Sequence, residues 1–209
     1  MAKKVDYFDS VKVEIPRKGI YTRLGYRADK THISSQQEEL VEGYIEQAVS
    51  LLSLKAAYLR IPIRENDTLK VTLENGEVFE SSNLAKMLYD CDEVLLMAAT
   101  GGSEIVDSIR KNSLGGDVTQ AVVFDATASE TVDATLDWLM EYVNRDMRRE
   151  NKRLLKRRFS AGYGDLQLAN QKLIYDILDL KQIGILIGKN FILSPEKSVT
   201  AITGVVTFN

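Results

Sequence analysis

The chain of 209 residues has one cysteine, Cys91, and one histidine, His32. A single cysteine has no internal disulfide partner, so the fold must hold without a covalent staple. That usage suits a reducing compartment and gives the expectation of a cytoplasmic protein. A lone thiol and a distant lone imidazole are poor material for a thiol protease or a metal site. Cys91, just ahead of the apolar run 94–99, reads as a small residue near a strand. No run of 18 apolar residues exists, which excludes a membrane-spanning helix, and the polar segment 1–10 lacks the apolar stretch of a secretory signal. Prolines are scarce and scattered (Pro16, Pro62, Pro195), and none marks a linker. No repeat or low-complexity tract divides the chain, so one domain is expected over 1–209, with an N-terminal part to about residue 100 and a C-terminal part from 101. The formal charge of −3 argues against a dedicated nucleic-acid-binding domain.

What is present is periodicity of two kinds. Val11-Lys-Val-Glu-Ile15 alternates and stops at Pro16, as a short strand does. Residues 19–34, with Gly19, Gly25 and several charges, read as an irregular arm. Ser35 and Glu38 fit a capping box ahead of an amphipathic helix over 36–54, whose apolar stripe includes Leu40, Tyr44, Ala48 and Leu52. Strands are expected over 57–63 and 69–73. The Glu74-Asn-Gly-Glu77 step then forms a hairpin turn of type I′. A short helix capped by Ser81 or Ser82 runs to Leu88, and 93–99 is a buried strand. Helices follow over 104–111 and, without proline or glycine to interrupt it, over much of 117–157, with Val122-Val-Phe124 ambiguous between helix and strand. Residues 166–180 are helical, and 183–193 and 199–205 are strands. Irregular alternation with hairpins favours α+β over a doubly wound parallel sheet.

Three constellations carry chemistry. Thr100-Gly-Gly-Ser103, between strand and helix, is either a tight turn or an anion site at a helix N-terminus. It has neither the Gly-Lys-Ser/Thr of a P-loop nor the third glycine of a dinucleotide fingerprint. The basic run Arg145, Arg148, Arg149, Lys152, Arg153, Lys156, Arg157, Arg158 reads as the solvated end of the long helix, as a docking surface for an acidic partner, or as a nucleic-acid contact. The last lacks the aromatic interleaving that stacking needs. Arg158-Phe-Ser-Ala-Gly-Tyr163 combines a guanidinium for a carboxylate, a small residue and a glycine that let a ligand approach the backbone, and a flat ring. That set suits a zwitterionic ligand bearing an aromatic base, and equally a structural loop.

The stretch 158–205 resembles the activation domain of cobalamin-dependent methionine synthase. The family's Arg-x-Ser/Ala-x-Gly-Tyr loop, following helix and Pro-x-x-Ser-Val-Ser/Thr segment are matched by Arg158-Phe-Ser-Ala-Gly-Tyr-Gly-Asp165, a helix to Leu180, and Leu193-Ser-Pro-Glu-Lys-Ser-Val-Thr-Ala-Ile202. The resemblance covers about fifty residues closely, whereas residues 1–100 match only loosely, in the manner of short free-standing versions. It implies a mainly antiparallel twisted sheet with flanking helices. It also implies binding of S-adenosylmethionine, with Arg158 on the methionyl carboxylate and Ser160, Gly162 and Tyr163 in contact with the ligand. Either Asp137 or Glu141, one turn apart on the long helix, would lie near the amino group or sulfonium. No metal ligand and no catalytic acid or base is implied.

In that family the domain helps to reactivate cobalamin that has been oxidised to an inert state. S-adenosylmethionine gives the methyl group, and flavodoxin or a similar donor gives one electron. No Asp-x-His-x-x-Gly cobalamin motif occurs here, so the expected partner is a separate corrinoid protein. The chain departs from the family at Ala161 and Gly164, where proline is frequent, which implies a less rigid loop. Longer members add a further aromatic contact beyond the segment matched here, which implies a site without that ring.

Overall fold

A computed structural model describes residues 4–27 and 30–208. The remaining residues, including two from the expected irregular arm, lie outside what is described here. In chain order the elements are β1 (Asp6–Phe8), α1 (Arg17–Arg23), α2 (Ser35–Ser50), β2 (Lys55–Asn66), β3 (Lys70–Leu73), β4 (Val78–Glu80), α3 (Ser82–Met87), β5 (Glu93–Thr100), α4 (Ser103–Ser113), α5 (Val118–Met147), β6 (Lys152–Leu154), α6 (Asn170–Ile177), β7 (Leu186–Ile187), β8 (Leu193–Ser194) and β9 (Ser198–Thr207). The main sheet runs β4-β3-β2-β5-β9-β6, with β1 also on β2, and its pairings are antiparallel. The fold is α+β, as the alternation of elements predicts.

The sheet is buried on both faces because its strands alternate between two apolar layers. On β5, Val94, Leu96 and Ala98 join the cluster with α3 and α6, while Leu95, Met97 and Ala99 join the cluster on α5. Strand β5 is buried at every position. That is why it reads in sequence as a continuous apolar run rather than an alternating one. Helix α5, 30 residues long, lies across the second face and is itself covered by α1, α2 and α4. Its N-cap is Asp117, whose carboxylate accepts from the Gln120 N–H at 3.1 Å. Val122 to Phe124 are helical.

Several elements differ from expectation, each for a physical reason. Residues 11–15 join no strand. Val11 makes one ladder-like bond to the Leu54 carbonyl at 2.9 Å, and its alternation with Val13 and Ile15 serves packing alone. The paired N-terminal strand is β1. Part of the expected arm is α1, in which Gly19 hides a helix from propensity reasoning. A Cβ there would stand 2.5 Å from a Glu130 carboxylate oxygen on α5, a contact that a shift of that flexible side chain would relieve; the helix is held by Ile20, buried against α2 and α5. The capping box sits one residue earlier, at Ser34 and Gln37. The 73–77 turn is not type I′. Only Gly76 has positive φ, and its N–H bonds to the Leu73 carbonyl, which is the three-residue turn with a glycine bulge. The expected strand 183–193 is cut by Gly184 at φ +79 and by a turn at 188–192, leaving the small β7–β8 hairpin. The helical reading of 166–180 shrinks to α6 followed by a 3-10 turn over Leu180–Ile183.

Candidate functional site

The Arg158 loop is built by an interruption at the sheet edge. Leu154 on β6 faces Val205 and Phe159 faces Ile202. Residues 155–158 therefore bulge outward, two more than β9 supplies opposite them. Phe159 and Ile202 exchange both backbone hydrogen bonds, at 2.8 and 2.7 Å, which closes the bulge. Inside it the Thr203 hydroxyl donates to the Arg157 carbonyl at 2.7 Å. Bulges re-aim side chains, and the outcome is that Phe159 packs on the α3–α6 layer while Arg158 reaches α5 on the other face.

On α5 the Arg158 guanidinium meets two carboxylates one turn apart. Its Nη2 is 2.7 Å from Asp133, and its Nη1 bonds Asp137 and lies 3.8 Å from the Met140 sulfur. Burial lowers the guanidinium pKa, but the hydrogen bond to Asp137 and the charges of both acids outweigh it and raise the pKa. Of the two acids named from sequence, Asp137 is at Arg158; Glu141 is exposed and takes no part. Asp133 was missed by the sequence reading. The available signal was its spacing, since 133, 137 and 141 share one helical stripe, and only the height of Arg158 on the sheet selects the first two.

Asp133 also lines a 260 Å³ concavity with Arg23, Ser129, Glu130 and residues 196–199. Lys197 crosses it to Asp125 at 2.6 Å and Ser129 at 3.1 Å. The Pro195–Val199 stretch of the sequence resemblance thus lies beside the acid that holds Arg158. A separate concavity of 540 Å³ lies on the other side of the loop, lined by Asn83, Lys86, Met87 and residues 157–159.

The remainder of the loop turns on glycine. Gly162 has φ +90 and its N–H bonds to the Leu166 carbonyl at 2.8 Å. Ser160 is half-buried, with its carbonyl accepting from the Tyr163 N–H at 3.3 Å. The Tyr163 ring is 71% exposed, so a flat face is open to solvent. Gly164 has φ +56, which a proline, fixed near −65°, cannot adopt. Asp165 anchors the loop. Its carboxylate takes the Ser81 hydroxyl, the Ser82 hydroxyl at 2.7 Å and the Ser82 N–H at 2.8 Å, fastening the loop to the N-terminus of α3. Those hydroxyl bonds, Ser81's first, pull the Asp165 pKa down to about 2.

Two other motifs resolve as structure. In Thr100-Gly-Gly-Ser103, the Gly101 N–H bonds the Lys197 carbonyl and the Gly102 N–H bonds the Thr100 hydroxyl, while a Cβ on Gly101 would meet Leu52 at 2.9 Å. It is a close-packed turn. The basic run is not one helical face, because α5 ends at Met147 and Lys152 and Arg153 belong to β6. Among the described residues no cluster of His, Cys, Asp and Glu could hold a metal, and no helix is long and apolar enough to cross a membrane.

No protein-family model matches the chain, and no curated protein sequence does. Among solved structures, the crystal structure of the MetH reactivation domain bound to AdoHcy superposes with a TM-score of 0.69 at 14% identity, covering 97% of this chain and 78% of that one. At that identity the likeness establishes a shared fold: this chain has the architecture of the MetH reactivation domain.

Proposed function

We propose that this chain binds S-adenosylmethionine and acts in trans, as a free-standing counterpart of a reactivation domain, in restoring methylated cobalamin on a methionine synthase. The reading is supported by the shared fold with a domain that holds AdoHcy. The observation that carries it is the meeting of Arg158 with Asp133 and Asp137 at the start of the loop that continues to the Gly162–Tyr163 turn. The residue types fit the ligand. A guanidinium takes a carboxylate in a bidentate manner, two exposed acids answer an ammonium and a sulfonium, and the open Tyr163 ring offers a face to adenine. Backbone at Ser160 and Gly162 would line the approach. Bound there, the sulfonium supplies an electrophilic methyl group. The corrinoid that accepts it belongs to a partner protein, and the electron to a flavodoxin-like donor. The chain's own share is binding and orientation, which needs no acid–base residue.

Titration calorimetry of the purified chain with S-adenosylmethionine and S-adenosylhomocysteine tests this. Saturable binding that weakens ~10-fold or more in Arg158→Gln is expected, and absence of heat at millimolar ligand overturns it.

One observation favours a second reading, a ligand-free interaction protein that kept the fold: the Arg158 guanidinium already has two carboxylate partners. Under that reading Arg158→Gln leaves corrinoid reactivation intact. A third assignment, activator of a corrinoid methyltransferase other than methionine synthase, shares the binding chemistry, and capture of the corrinoid partner from extracts separates it from the first.

A further inference from the structure

We infer that a concavity at the β6 edge, distinct from the Arg158 loop, is a binding site for an organic phosphate. It measures 510 Å³ and is lined by Asn144, Arg148, Lys152, Arg153, Leu154, Leu155, Lys156 and Phe208. Four of those side chains are cationic and none is acidic, in a chain whose formal charge is −3. The charge is thus concentrated against the overall balance, as at anion sites.

The cations are arranged, not merely numerous. The Arg153 guanidinium lies 4.6 Å from the centroid of the Phe208 ring, which orients its donor fork. Phe208 is in turn fixed by its N–H to the Asn151 carbonyl at 2.8 Å. Lys152 is held by the buried Glu93. Among the described residues Arg148, Arg153 and Lys156 make no ion pair, so their charge is available to a ligand. The Asn144 side-chain Oδ1 accepts the Leu154 N–H at 2.8 Å, which leaves the Nδ2 end of that amide as the donor. Guanidinium forks match phosphate oxygens in pairs. Leu154, Leu155 and the half-exposed Phe208 ring give apolar surface for the body that carries the phosphate.

The site is tested by calorimetry on the full chain at low salt with phenyl phosphate and inorganic pyrophosphate as probes. The variant Arg148→Gln with Arg153→Gln removes two lining charges. The variant Arg145→Gln with Arg149→Gln removes two neighbouring charges outside the lining and keeps the same net charge. Binding of phenyl phosphate that weakens at least ~10-fold in the first variant, falls with added salt, and persists in the second is expected. Arg158→Gln must leave it unchanged, which separates this site from the S-adenosylmethionine reading. Equal weakening in both double variants overturns the proposal, as does absence of heat with either probe. Binding of poly-glutamate without phenyl phosphate also overturns it and assigns the surface to an acidic protein. Unchanged thermal midpoints confirm that the variants fold.

Discussion

Arg60 and Arg158 are each gripped by two carboxylates, yet the two clusters differ in exposure. Arg60 is 10% exposed and Glu93 only 5%. The pair is completed by Glu150 at 2.7 Å and by Lys152 on the same Glu93. Burial lets those charges act on one another strongly, and it also makes each indispensable once the others are in place. Arg158 is 21% exposed, but its acids are 59% and 66% exposed. Water screens them, so the pair contributes little to stability. An arginine between two carboxylates is thus a buried fastener in one region and an exposed, loosely held pair in the other.

The largest effect expected is at the fastener. Glu93→Ala leaves Arg60 and Lys152 short of a buried partner and costs about 3–5 kcal/mol, lowering the thermal midpoint by on the order of 10 °C. Asp137→Ala at the Arg158 cluster stays within about 1 kcal/mol. Thermal melts of both variants decide this, and equal losses break the contrast. Next, Arg158→Gln removes a charged hydrogen-bonding group worth roughly 1.5–3 kcal/mol to a bound carboxylate, which is a loss of ~10-fold or more in S-adenosylhomocysteine affinity. Glu141→Gln leaves affinity unchanged, because Glu141 is away from the pair. Smaller again, Ser81→Ala removes the α3 N-cap, whose hydroxyl accepts the Leu84 N–H at 3.0 Å, for about 1 kcal/mol in urea unfolding.

Asp165 adds a pH dependence. Its folded pKa, about 2, is below the ordinary 3.8, so its contribution is fully present above pH ~4 and is lost as pH falls toward ~2. Acid unfolding followed by circular dichroism is expected to lose part of this slope in Asp165→Asn. Smallest is Cys91. Burial first, and then Asp90 and Asp92, push its thiol up to about 11, so alkylation at neutral pH is slow in the folded chain.

Long, strongly patterned elements were legible: α2, α5, and β5 as an apolar run closed by Thr100-Gly-Gly-Ser103. What was not legible depends on contacts remote in sequence. Helix α1 makes sense only with Ile20 packed between α2 and α5, and the alternation at 11–15 only beside two cores. Gly184 and the 188–192 turn divide what hydrophobicity alone presents as one strand. At the candidate site, the family resemblance singled out the Arg-x-Ser-x-Gly-Tyr loop and left Asp137 and Glu141 as alternatives. The choice of Asp133 over Glu141 required the bulge between β6 and Phe159, which no local pattern encodes. The basic stretch 145–158 looked continuous because charge carries no record of where a helix stops.

The loop from Phe159 to Asp165 is tied at one end to β9 and at the other to α3 before any ligand arrives. Under the proposed function, a small molecule would meet a finished shape there, and its rate of capture would be governed by diffusion and orientation rather than by waiting for the chain to order itself.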